Sequence, residues 1–182
     1  MPLDSRLREI PDDRQQLERQ ADALVAEIAS ARSQPAQLLA MLQRATPVLL
    51  VVGRIEEARR TASAAIALAE LLDDPLAIFE NQLQLAKALR FEGRFDLATP
   101  LFDRLLAQAR SVPAFARHLD AALFEAGANL FEQGRDREAA RYFRDCQGLR
   151  RLAGPDADLE AVALALRLVA ERAKASFSTD AS

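Results

Sequence analysis

A chain of 182 residues, half of them apolar, is long enough to bury a continuous core of its own. Its formal charge of −3 and isoelectric point near 5.3 leave no overall positive field to draw in nucleic acid or an anionic membrane. The single cysteine, Cys146, excludes an intrachain disulfide, a thiolate metal cluster and a redox dithiol.

The apolar set is dominated by alanine and leucine and lacks tryptophan, a balance that favours helix over strand, so the expected class is all-α. Residues 1–13 carry charges where a signal peptide would need an apolar core. The longest apolar run, residues 48–52, is far too short to span a bilayer, and the expected location is cytoplasmic. Residues 1–34 read as a lead segment whose capping helix, about 12–33, bears the stripe Leu17, Leu24, Val25 and Ile28. Three helix hairpins follow at 35–73, 75–111 and 113–152, within a block at 35–153. A C-terminal capping segment, 154–176, holds a helix at about 156–175 with the stripe Leu159, Val162, Ala163, Leu166 and Val169. Residues 177–182 read as a flexible tail, and the whole as one globular domain.

Glycine supplies the punctuation inside the hairpins. Gly53-Arg54-Ile55-Glu56-Glu57-Ala58, Gly93-Arg94-Phe95-Asp96-Leu97-Ala98 and Gly134-Arg135-Asp136-Arg137-Glu138-Ala139 recur after steps of 40 and 41 residues. Each glycine sits where a helix has ended and the chain needs positive φ to reverse. The acids that follow lie in the first turn of the next helix, opposing its dipole. Ala58, Ala98 and Ala139 are expected to be buried where paired helices approach most closely. Prolines mark the other boundaries, at Asp74-Pro75, Val112-Pro113 and Gly154-Pro155. Helical spacing sets Leu85, Ala86 and Leu89 against Ala98, Leu101, Phe102 and Leu105. It likewise sets Leu123, Ala126, Gly127 and Leu130 against Ala139, Phe143 and Cys146.

At these residues the sequence resembles the tetratricopeptide repeat (TPR). Ala86, Leu89, Gly93, Ala98 and Phe102, and then Gly127, Leu130, Gly134, Ala139 and Phe143, keep its spacing of small, large, turn-glycine, alanine and aromatic positions. The first unit is degenerate, with Thr46 at the small position, Pro47 beside it and Ala62 in place of the aromatic. A step longer than the family's usual period of about 34 residues resembles the long-repeat variants of bacterial signalling and regulatory proteins. The resemblance implies a right-handed α-solenoid of about three hairpins whose first helices line a groove for a peptide or protein partner. On that implication the groove presents Gln43 and Arg44, then Glu80, Leu83, Gln84, Lys87 and Phe91, then Phe124, Glu125 and Ala128. Either a partner covers Leu83, Phe91 and Phe124, or the lead or closing helix folds across them. Only Lys87 matches the family's carboxylate-clamping set, so capture of chaperone C-terminal tails is not expected. Pro47 should kink the first helix.

Little in the chain supports catalysis. His118 is the sole histidine and stands alone, no glycine-rich phosphate loop occurs, and Asp74 before Pro75 reads as a helix N-cap rather than a ligand. The expectation is a non-enzyme with no cofactor and no metal. A cluster from Arg135 to Arg151 (Arg135, Arg137, Arg141, Arg144, Arg150, Arg151) reads either as a solvated face interleaved with Asp136, Glu138 and Asp145 or as a site for an anionic partner. The leading expectation is a protein-interaction module, an adaptor or regulatory component. The alternatives are a self-assembling scaffold whose exposed aromatics form a homodimer interface, or, further off, nucleic-acid or anionic-ligand binding through the arginines.

Overall fold

The computed structural model describes residues 2–31, 34–154 and 158–179, with side chains of the last helix through Ala175. The fold is all-α. In chain order come α1 (Arg14–Ser30), α2 (Pro35–Val51), α3 (Ile55–Leu71), α4 (Pro75–Phe91), α5 (Phe95–Ser111), a 3₁₀ helix (Pro113–His118), α6 (Leu119–Glu132), α7 (Asp136–Ala153) and α8 (Glu160–Thr179). Helices α2 to α5 are each 17 residues long, and three-residue turns separate them. Two such helices with two such turns account for the 40-residue step.

The turns explain the glycines. At Gly53, Gly93 and Gly134, φ is +85°, +75° and +76°. The next amide reaches back to close each helix end: Arg54 to the Leu49 carbonyl, Arg94 to Leu89 and Arg135 to Leu130. The turn between α3 and α4 has the same hydrogen bonding with Asp73 (φ +52°) in the glycine's place, and the Asp74 carboxylate caps α4 by accepting from the Ala77 amide.

The helix ends differ from expectation in a few places. The segment from Pro113 opens with a 3₁₀ helix, with Phe115 buried beneath it, before α6 begins. Helix α1 starts at Arg14, where Asp13 caps the Gln16 amide, and its expected last residues, 32 and 33, lie outside the described residues. The expected start of the closing helix at 156, and Pro155 before it, also lie outside them. Helix α8 runs to Thr179, into the expected tail, of which 180–182 are not among the described residues.

The described chain forms two compact units. Unit 1 comprises residues 9–101. In it α2 packs on α1 and α3, α4 packs on α3, and α2 meets α4. One apolar cluster joins Ala21 and Leu24 of α1 to Ala45, Leu49, Leu50 and Val52, with Ala58 and Ala88. A second joins Leu39 and Leu42 to Ala65, Ala69 and Ala77. Small residues recur at the crossings because helix backbones there leave no room for longer side chains. Helix α2 runs through Pro47, and the buried Thr46 hydroxyl donates back to the Leu42 carbonyl one turn earlier.

Unit 2 comprises, among the described residues, 2–8, 102–154 and 158–179. Its centre is α6, which packs on α7, α8 and the 3₁₀ helix and is buried at every residue from Ala122 to Leu130 except Glu125. Gly127 lies against the Phe143 ring so closely that an added Cβ would fall 2.7 Å from Cε1. Val162, Ala165 and Val169 of α8 are buried, and the Arg172 guanidinium lies 3.6 Å over the Phe131 ring.

Candidate functional site

In unit 1 the first helices of the two hairpins, α2 and α4, stand side by side. Gln43 is half-buried and Arg44 exposed on α2; Glu80, Leu83, Gln84, Lys87 and Phe91 are all half-buried on α4. The helical spacing of α4 puts Glu80, Gln84, Lys87 and Phe91 along one stripe. Lys87 is engaged by the chain itself. Its ammonium lies 3.4 Å from the Glu9 carboxylate, in the segment leading into α1, and 6.0 Å from the centre of the Phe91 ring. Phe91 packs on the apolar cluster that also holds Ala21 and Leu24 of α1. The Gln84 side-chain oxygen is buried without a hydrogen-bond partner, a state that costs about 1–3 kcal/mol.

In unit 2 the corresponding residues of α6 are far less open than expected. Phe124 is 7 % exposed and Ala128 is fully buried, while Glu125 is half-buried. The cause is packing within the unit: the Phe124 ring is tilted against Phe143 at 5.7 Å, and Arg150 of α7 closes over it at 5.5 Å. A helix that three neighbours contact has little polar face left, and α6 carries few polar residues to form one. Phe124 is therefore a core residue, which corrects its reading as an open groove aromatic.

The repeat signature has a polar component that glycine and alanine spacing did not reveal. Ala58, Ala98 and Ala139 are fully buried. In the first and third turns, the arginine after the glycine forks onto a glutamate three residues on. Arg54 donates to both Glu57 oxygens at 2.7 and 2.6 Å, and Arg135 to both Glu138 oxygens at 2.8 and 2.7 Å. These hydrogen bonds pull both carboxyls below the usual glutamate range and push both guanidinium groups up. Arg54 also reaches Asp22 of α1 at 2.6 Å. The middle turn has Leu97 at the acid's position and lacks the fork.

The remaining candidates for chemistry are tied into structure. The Cys146 thiol is buried and donates to the Asp120 carbonyl at 3.2 Å. Burial, with Asp120 and Asp158 adding to it against Arg150, pushes its pKa up to about 11. At neutral pH it is a protonated core thiol. His118, at the junction of the 3₁₀ helix and α6, accepts at Nε2 from Arg117 at 2.9 Å. Of the arginine cluster, Arg135 is held by Glu138, and Arg150 by Asp120 at 3.1 Å and the Asp158 carbonyl at 2.6 Å. Arg137, Arg141, Arg144 and Arg151 are exposed and form no ion pair among the described residues.

No protein-family model and no curated protein matches the sequence. Two solved structures of kinesin light chain TPR-like repeats from Podosopora anserina, one of them a variant of the other, superpose on it with TM-scores of 0.63 and 0.61. Both are 17 % identical to this chain, and the match covers 91 % of it and 84 % or 85 % of theirs. At that identity the likeness establishes the fold, an all-α TPR-like repeat of the solenoid class.

Proposed function

We propose that this TPR-like chain is a non-catalytic, cytoplasmic protein-interaction module, and that in unit 1 the α2/α4 face binds an extended, carboxylate-bearing peptide. The observation that carries the reading is the Lys87–Glu9 pair, in which a segment of the chain outside the helices sets a carboxylate on the α4 stripe. The surroundings fit the same occupant. Gln43, Arg44 and Glu80 supply polar edges, and Leu83 and Phe91 supply half-buried apolar surface. Glu9 then acts as an internal competitor for Lys87.

The reading is tested on the full chain with a synthetic array of extended peptides that differ in the placement of one acidic residue. Glu9→Ala is expected to strengthen binding of the best acidic peptide several-fold. Lys87→Ala is expected to weaken it about tenfold, as loss of a half-buried charge partner does. Equal binding by wild type and both variants, or no preference for acidic peptides, would overturn it.

A further inference from the structure

Within unit 2 the four arginines of α7 that form no ion pair among the described residues make an ordered set, with Arg141 lying near Glu138. Arg137, Arg141, Arg144 and Arg151 are separated by four, three and seven residues, which places them along one side of the helix over about 21 Å. Gly148 completes the spacing, and a Cβ there would meet nothing. No packing need explains a glycine in the middle of a helix, where it costs about 1 kcal/mol relative to alanine. Its effect is to lower the helix surface between Arg144 and Arg151.

Beside this stripe, α7 and α8 enclose a furrow of about 310 Å³. Its α7 wall carries Arg137 and Arg144, and the rest of its lining is apolar, made by Ala140 of α7 with Leu166, Val169 and Ala170 of α8. The one acid that borders it, Asp136, is taken up by Arg172 at 3.2 Å. An apolar trough one or two helical turns long, edged on its α7 side by Arg137 and Arg144, is the complement of an amphipathic helix with aliphatic residues on one face and acids along one edge. Phosphate would meet the arginines equally well, but nucleic acid offers nothing to bury the aliphatic lining.

We infer that the α7/α8 furrow is a second docking surface, and that its occupant is an acidic amphipathic helix of a partner protein. The aliphatic ridge of that helix would enter the furrow while its carboxylates meet Arg137 and Arg144. The surface lies in unit 2 and shares no residue with the α2/α4 face, so either can fail without the other.

The test uses the full-length protein and a fluorescent synthetic helix about four turns long, with leucines on one face and glutamates along the adjoining edge. Three controls are a scrambled peptide of equal composition, a lysine-for-glutamate version and a labelled DNA duplex. Fluorescence anisotropy should show binding of the matched helix, about tenfold weaker binding of the scrambled one and none of the lysine version. The pair Arg137→Glu with Arg144→Glu, and separately Ala170→Glu, which fills the furrow, should each reduce the matched affinity at least about tenfold. All three positions are at the surface, so far-UV circular dichroism should be unchanged and loss of binding is not loss of fold. Equal affinity for matched and scrambled helices, indifference to Ala170→Glu, tighter binding of the duplex, or no binding at all would each overturn the inference.

Discussion

Gly127 and Gly148 show how differently the same residue type can be justified. At Gly127 the space for a side chain is filled by Phe143, itself fully buried and unable to swing away. Gly127→Ala is therefore expected to destabilise the protein by about 1–3 kcal/mol, as overpacking does. At Gly148 the space is open, so Gly148→Ala should stabilise it by about 0.5–1 kcal/mol through helix propensity. Urea titrations followed at 222 nm would check both, and a common sign for the two would contradict this account. Sequence spacing placed Gly127 at the small position of the repeat, but it could not show which ring fills the space. For Gly148 the spacing carried no message, because an exposed helical glycine has no local signature.

At the scale of the element, the helix starts after Gly53 and Gly134 are held by forked arginine–glutamate pairs. The hydrogen bonds from Arg54 hold the Glu57 carboxyl below its ordinary range. A carboxyl whose pKa falls on folding stabilises the folded state above its unfolded pKa, about 4.3, and that contribution disappears as pH drops through the depressed value. Both partners are partly exposed, so the contribution is small, about 0.5 kcal/mol. Glu57→Gln should cost that much at pH 7 and approach no difference from wild type as pH falls below the depressed value, where both chains carry a neutral side chain. Thermal unfolding of the two proteins across that range is the measurement, and a difference that grew toward acid would reverse the argument. The acids of this motif were legible as helix-dipole partners. Their pairing to the preceding arginine depends on backbone geometry at the turn, which residue identity alone does not specify.

On the scale of the whole molecule, helices in such a repeat are stable because each buries an apolar stripe against its neighbours, and α8 does this for α7 and α6 in unit 2. Ending the chain after Gly154 would strip Val162 and Val169 from the core, a loss of roughly 3–6 kcal/mol for two buried valines. It would also remove Arg172 from the face of Phe131. A lower urea midpoint and uptake of a dye that reports exposed apolar surface are expected; an unchanged midpoint would mean α8 contributes little to the unit. No helix among the described residues is long and apolar enough to cross a membrane.

The all-α class, the step of 40 and 41 residues, the turn glycines and the small residues at helix crossings could all be read from the chain. Each is set by local physics: helix propensity, the positive φ that glycine adopts freely, and the 3.6-residue period of an apolar stripe. Which faces remain open was decided only by tertiary structure. Phe124 and Leu83 occupy the same position of their repeats, ten residues before the turn glycine, yet Phe124 is closed off by Phe143 and Arg150 while Leu83 stays half-buried. Likewise, six clustered arginines look alike in sequence, and folding pairs Arg135 and Arg150 with acids while leaving four others along the α7 surface. Exposure and charge pairing are properties of what neighbouring elements bring to a residue, and those neighbours come from distant parts of the chain.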